Sequence, residues 1–224
     1  MSRPILTAKF REAEFQFHVG PSTEAIVAEV FSDNYTIFEK ELEFEPGDII
    51  VDLGANEGIF SILMGKLYPK VKVCAYEPVV RTYEQLTDNI ALNEAFNVFP
   101  VNKGVDGAIC SKEIVVSRDH SGGSTSWCTF NPQDHVKVNA EMTTLDEIIR
   151  QVGRIKLLKI DIEGAEYDVL YNCTLLDKVD NIVAEFHSNA RLRAISPQYD
   201  PHELATWLGD RTNLVYYDRC PMCE

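Results

Sequence analysis

Positive charge is what this chain has least of. Its 224 residues carry 21 Lys and Arg against 35 Asp and Glu, a formal net charge of -14. Phosphate binding needs a basic surface, so the balance disfavours a nucleic-acid backbone as partner, a local basic groove aside, and none is expected. The surplus acid reads as a solvated surface kept soluble by self-repulsion. Long apolar runs are also missing: nothing approaches the roughly 18 residues of a membrane span. The first ten residues mix charges with Pro4 and hold no apolar core, so no targeting segment is visible. The six cysteines, Cys74, Cys110, Cys128, Cys173, Cys220 and Cys223, are scattered. Cys220-Pro221-Met222-Cys223 is a C-x-x-C without the second pair that zinc would need, and no metal is expected there. Cys74 and Cys173 stand in apolar contexts and read as buried thiols, and a reduced, cytoplasmic protein is the expectation. The dinucleotide fingerprint G-x-G-x-x-G is absent. So are internal repeats, low-complexity tracts and an interdomain linker, which leaves one sizeable domain with at most a small appendage.

What is present is a rhythm. Pro46-Gly47-Asp48 makes a turn, and the apolar strand Ile49 to Leu53 follows it. Apolar residues at Ile59, Ile62, Leu63 and Leu67 predict a helix that Pro69 stops. Val71 to Tyr76 is a second strand closed by Glu77-Pro78, Val80 to Asn93 an amphipathic helix, and Val98 to Val105 a third strand. Strands alternating with helices at this interval imply βαβ units and a parallel sheet. The rhythm then breaks. Ile114 to Val116 and Val136 to Glu141 are strand-like segments around a long polar loop with His120-Ser121-Gly122-Gly123-Ser124-Thr125-Ser126, which is expected to lie over the site as a lid. Thr144 caps a helix over Leu145 to Val152, with Glu147 completing a capping box. The alternation resumes with the strand Leu157 to Ile162, a helix from Ala165, and the strand Ile182 to Phe186. A short helix over His202 to Leu208 and a last strand over Leu214 to Tyr217 complete it. Upstream, Phe15 to Val19 alternates as a strand, Ala25 to Phe31 fits a strand or a helical turn, and Phe38 to Pro46 is a surface lead-in.

Two strand ends carry the chemistry. The first is Asp52-Leu53-Gly54-Ala55-Asn56-Glu57-Gly58. Gly54 turns the chain where a ligand approaches the backbone, and Gly58 starts the next helix close to the sheet, with free amides at its N-terminus. About 25 residues beyond Asp52, at the end of the next strand, Glu77 is placed to accept hydrogen bonds from two ribose hydroxyls. The unit therefore binds a nucleoside. An acid just before the turn repels a pyrophosphate but suits an ammonium and a sulfonium, which points to S-adenosylmethionine. The plain alternative is an ordinary strand-to-helix turn. The second end is Lys159-Ile160-Asp161-Ile162-Glu163-Gly164-Ala165-Glu166, where an apolar strand delivers acids to the edge at which open parallel sheets bind ligands.

Taken in order, Asp52 to Gly58, Tyr76-Glu77-Pro78, Thr143-Thr144-Leu145-Asp146 and Lys159 to Glu166 resemble the FkbM-type S-adenosylmethionine-dependent methyltransferases, the last block being the specific one. The likeness runs from about Gly47 to His187. It implies an α/β, Rossmann-like class I methyltransferase fold: a doubly wound, mostly parallel sheet of seven strands with the last one antiparallel. The domain would span 47–224, with residues 1–46 an appendage packed on it. The resemblance also implies O-methylation of a small molecule or sugar. Carried over residue by residue, Asp52, Gly54, Ala55, Asn56 and Gly58 line the methionine end of the cofactor. Glu77 and Pro78 meet the ribose, Val105 and Asp106 lie beside adenine, and Asp161 borders the sulfonium. Gly104-Val105-Asp106 fits an ordinary turn equally well.

Methyl transfer to a hydroxyl needs alignment and an acceptor for the proton. Asp161 and Glu163 end one strand, and Glu185 and His187 alternate at the end of its neighbour, so four titratable groups converge. His187, whose type has an ordinary pKa near 6.5, is the expected base, oriented by Asp161 and Glu185. Each has a structural alternative: Glu163 and Glu166 as helix-capping or dipole-matching acids, His187 as a satisfied polar group. Asp161 is harder to set aside, because a carboxylate at an apolar strand end costs free energy unless paired or solvated by a ligand. The same four groups also suit magnesium or manganese, although no compact ligand pair supports it. Two further readings compete, a nicotinamide oxidoreductase and a methyltransferase-like binding protein without activity. Asp52 counts against the first and the intact strand-end acids against the second.

Overall fold

The computed structural model describes residues 3–32, 42–117, 133–188 and 190–219. Its centre is a six-stranded sheet in the order β11-β10-β9-β3-β4-β5, formed by β3 (Ile49–Leu53), β4 (Lys72–Tyr76), β5 (Val98–Val101), β9 (Leu157–Ile160), β10 (Asn181–Phe186) and β11 (Asn213–Arg219). Every neighbouring pair is parallel. The strands read as unbroken apolar runs because both faces of the sheet are covered. Ile50, Val73 and Leu157 face α2 (Ile59–Leu67) and α3 (Val80–Leu92). Val51, Cys74 and Leu158 face α4 (Leu145–Val152), α5 (Glu166–Tyr171) and α7 (Pro201–Gly209).

The chain moves outward from β3 through β4 to β5, then returns to the other side of β3 as β9, β10 and β11. The order reverses between β3 and β9. That switch point puts the turn after Asp52 and the turn after Asp161 side by side at the C-terminal ends of the strands.

Several sequence-based expectations change. The last strand among the described residues is parallel, where an antiparallel one was expected: α7 carries the chain back across the sheet, and β11 pairs with β10 from Asn181↔Asn213 onward, with Asn213 Nδ2 donating to Asn181 Oδ1 at 2.8 Å. The described sheet has six strands where seven were expected. The run Val98 to Val105 is two strands, not one. It breaks at Asn102, whose amide donates to Glu77 O (2.9 Å) and Pro78 O (3.2 Å), and β6 (Gly104–Val105) leaves for another sheet. That sheet is the hairpin of β7 (Cys110–Ser117) and β8 (His135–Thr143), with β6 parallel to β8. The strand expected to reach Ile162 stops at Ile160, so Asp161 and Glu163 stand in the turn itself. The segment that fitted strand or helix is helical, α1 (Thr23–Val30). Helix α6 (Ala190–Ile195) has no counterpart among the expected elements. The Thr144 cap is present, its hydroxyl accepting Glu147 N–H at 3.2 Å. The polar loop His120 to Ser126, Cys128, and the Cys220–Cys223 pair lie outside the described residues.

The N-terminal hairpin of β1 (Ile5–Phe10) and β2 (Ala13–His18) is joined to the core by side-chain amides. Asn89 Oδ1 accepts His18 N–H (2.8 Å) and Gln85 Nε2 donates to His18 O (2.8 Å). Asn93 Oδ1 accepts Gln16 N–H (2.9 Å), and its amide nitrogen donates to Gln16 O at 2.5 Å. Residues 85 and 89 of α3 and its C-cap residue 93 recur every fourth position along one stripe, so the helix and its cap supply the partners that a further strand would have given β2.

Candidate active site

The turn after β3 is held by backbone contacts on both sides. Gly54 N and Ala55 N both donate to Tyr76 O, at 3.1 and 2.9 Å. Gly54 has φ +79, and a Cβ there would sit 1.9 Å from Asp161 O. The close approach that demands glycine is thus made by the other turn of the site rather than by a ligand. A Cβ on Gly58 (φ +84) would meet Leu86 of α3 at 2.3 Å. Asn56 takes a left-handed φ of +50, a conformation that asparagine tolerates better than most non-glycine residues.

Asp52 lies beneath this turn with no exposed surface. Its Oδ2 accepts from Ser61 Oγ at 2.6 Å, and its Oδ1 faces Lys159 Nζ at 3.3 Å. Glu77 is buried and its carboxylate accepts Asn56 N–H (3.0 Å) and Val79 N–H (2.8 Å). Burial pushes its pKa up to about 7, against the pull of those two backbone hydrogen bonds. Asp106 is held by its own neighbours, accepting Gly107 N–H at 2.7 Å and pairing with Lys112 Nζ at 2.6 Å. Val105 is buried in β6 beside it.

The turn after β9 is organised by Glu166, which is fully buried. Its carboxylate accepts Ile162 N–H (3.1 Å) and Gly164 N–H (3.0 and 3.2 Å to its two oxygens). The same Oε1 lies 2.9 Å from His187 Nδ1. A carboxylate already accepting these donors accepts a third, so Nδ1 carries the proton and Nε2 is turned the other way. Around Nε2 stand Glu163 Oε2 at 3.4 Å, Glu185 Oε1 at 3.7 Å and Asp161 Oδ1 at 4.0 Å. The four expected groups do converge. Asp161 and Glu185 are the residues expected to orient the imidazole, and the shortest contact to the ring is made by Glu166, at Nδ1. The fully buried Glu166 contacts the ring nitrogen, whereas the other two face Nε2 at longer range. Glu185 has its pKa raised to about 7, by burial first and then by the Asp161 charge.

Lys159 heads the family-like block in the sequence, where no role is assigned to it. A lysine among Leu157, Leu158 and Ile160 was the signal, because a buried ammonium needs partners. It is 4% exposed and links the two turns, donating to Gly54 O at 3.0 Å and lying 3.4 Å from Asp161 Oδ2.

Residues 52–216 match the methyltransferase FkbM domain, and the chain belongs to that family of S-adenosylmethionine-dependent methyltransferases. The methyltransferase sdnD of Sordaria araneosa is 31% identical over 180 residues, covering 65% of this chain and 66% of that protein, just under two thirds of its length. The 31-O-demethyl-FK506 methyltransferase FkbM of Streptomyces tacrolimicus is 25% identical over 218 residues, 84% of each chain. Among solved structures, StiE O-MT residues 961–1257 align at a TM-score of 0.44 with 11% identity, over 77% of this chain and 50% of that one. A likeness of that degree adds no argument to the family match.

S-adenosylmethionine is the cofactor, and the first turn suits it. Asn56 Oδ1 is buried without a hydrogen-bond partner among the described residues, and a donor from a bound ligand would satisfy it. Glu77 stands at the end of the adjacent strand with a carboxylate that hydroxyl donors would stabilise. No described helix is long and apolar enough to cross a membrane.

Proposed function

We propose that the protein methylates a hydroxyl oxygen on a small molecule or sugar, with His187 as the base and Glu166 as the residue that orients it. The observation that carries this reading is the 2.9 Å contact between His187 Nδ1 and Glu166 Oε1, which leaves Nε2 directed among three carboxylates. Bound S-adenosylmethionine supplies a methyl group on a positively charged sulfur. Asn56, Glu77 and the turn from Gly54 to Gly58 would hold it, with Asp161 at the border between cofactor and acceptor. His187 Nε2 would take the hydroxyl proton as the acceptor oxygen bonds to the methyl carbon, the carbon–sulfur bond breaking with its electron pair left on sulfur and S-adenosylhomocysteine as the leaving group. The imidazolium then lies against Glu163, Glu185 and Asp161, whose charges stabilise it. The name of the Streptomyces relative points to the same acceptor element.

The test is a panel of hydroxylated acceptors with labelled cofactor, read by mass, once with the wild type and once with His187→Ala. His187→Ala should turn over about 10²–10⁴-fold more slowly. A product methylated on nitrogen, or a variant working at the wild-type rate, overturns the reading.

A second reading rests on a separate distance. One ligand atom each from Asp161, Glu163 and His187 lies within 4.8 Å of the other two. A carboxylate on the far ring nitrogen, as Glu166 provides, is the usual support of a metal-bound histidine. Magnesium or manganese held there would orient an acceptor oxygen, with Nε2 as a ligand instead of the base. Calorimetric titration with each ion, and turnover after chelation, separates the two: unchanged turnover in chelator favours the base.

A further inference from the structure

The strand register places Lys159 of β9 directly across from Asp52 of β3. Its ammonium, almost wholly inside the protein, reaches three groups at two different turns. Asp52 Oδ1 at 3.3 Å, in the strand beneath the cofactor turn, and Gly54 O at 3.0 Å, in that turn, lie on one side; Asp161 Oδ2 at 3.4 Å belongs to the turn that faces the acceptor. The other oxygen of Asp161 faces His187 Nε2 at 4.0 Å. One buried cation therefore stands between two carboxylates. A buried ammonium is costly and is retained where its geometry is needed. The two turns also touch directly, since the Cβ position of Gly54 is filled by Asp161 O.

We propose that Lys159 is a positioning residue for the reaction: it fixes the cofactor turn against Asp161, so that the cofactor half and the acceptor half of the site keep one register. It acts through Asp52, Gly54 and Asp161 and need not touch substrate. The inference rests on the cofactor assignment and not on an oxygen acceptor, so a failed acceptor screen leaves it standing.

The experiment is S-adenosylhomocysteine calorimetry on Lys159→Met, Lys159→Gln and Asp161→Asn, each first shown by a cooperative melt to be folded. Lys159→Met should bind about 10–100-fold more weakly, the size expected when a charge-assisted contact is lost. Lys159→Gln keeps an N–H donor for Gly54 O and should lose less. Asp161→Asn combined with either Lys159 variant should cost less than the product of the single losses, because both changes cut the same link. Wild-type affinity in a folded Lys159 variant overturns the proposal, as do losses that simply multiply. If Lys159→Met does not fold, Lys159→Gln and its combination with Asp161→Asn decide by the same criteria.

Discussion

At the scale of single residues, the site is a set of acids given different work by their surroundings. Glu166 has no exposed surface and spends its carboxylate on two backbone amides and the His187 ring. Glu163, three residues earlier, takes φ +56 and points its carboxylate at the opposite ring nitrogen. Substituting Glu166 should therefore do two kinds of damage. Glu166→Gln keeps the shape and an acceptor for Nδ1–H but loses the charge that holds the proton there, and a fall in turnover of about 10-fold is expected with only a modest drop in melting temperature. Glu166→Ala removes the acceptor of two buried N–H groups as well, and should cost about 2–4 kcal/mol in denaturant unfolding. Equal effects of the two substitutions on turnover and stability would mean that Glu166 serves the turn alone. Gly54 is a residue-scale constraint of another kind. Gly54→Ala meets both the φ of +79 and a backbone oxygen 1.9 Å from the new methyl group, and neither can yield cheaply. A loss on the order of 3–5 kcal/mol is expected, at the far end of what single substitutions cost; a melt close to wild type would show that the two turns separate easily.

At the scale of elements, the βα alternation was legible because each strand is a short apolar run closed by Gly, Pro or an acid. The helix Ile59–Leu67 coincides with its apolar spacing, and Val80–Leu92 ends within a residue of where its pattern does. What the sequence hid follows from contacts distant in the chain. Nothing local in Val98 to Val105 says that Asn102 will be drawn to Glu77 O and Pro78 O, splitting the run between two sheets. The direction of the last strand depends on how α7 crosses the sheet, which no local pattern around Leu214 contains. The site was legible to the same degree. Asp161, Glu163, Glu185 and His187 could be grouped from strand ends alone, yet the choice of Glu166 as the partner of His187 depends on a turn whose shape Glu166 itself makes. The join between hairpin and core was also invisible. The buried Asn89 accepts from His18 N at the partly buried edge of the hairpin and donates to Glu57 O in the cofactor turn at 2.9 Å. Asn89→Leu strands donor and acceptor together and should destabilise by about 2–4 kcal/mol, with faster amide exchange at His18 as the local signature. Unchanged exchange there would mean the hairpin is held by its apolar face alone.

At the scale of the whole molecule, an acid-rich chain has gathered carboxylates at one edge of a sheet, and the strain of doing so is visible in pH. Glu77 and Glu185 both have folded pKa values of about 7, raised above an ordinary 4.5 by burial, with the Asp161 charge adding to the second. Each binds its proton more tightly folded than unfolded. The stability they contribute is full below about pH 4.5 and is lost as pH rises through about 7. The protein without cofactor should therefore melt at a lower temperature at pH 8 than at pH 5.5, and Glu185→Gln should flatten that slope; a melt indifferent to pH across the window would contradict the burial of both groups. On the proposed reading, cofactor and acceptor chemistry divide between the two turns that meet at the switch point, with Glu77 on one side and His187 on the other. The most direct measurement of that division is an S-adenosylhomocysteine titration of the wild type, Glu77→Ala and His187→Ala under one set of conditions. Glu77→Ala should bind more weakly by about 1.5–3 kcal/mol, because hydrogen bonds to a carboxylate are lost, while His187→Ala binds as the wild type does. The account is contradicted if Glu77→Ala keeps full affinity, or if His187→Ala loses it alongside.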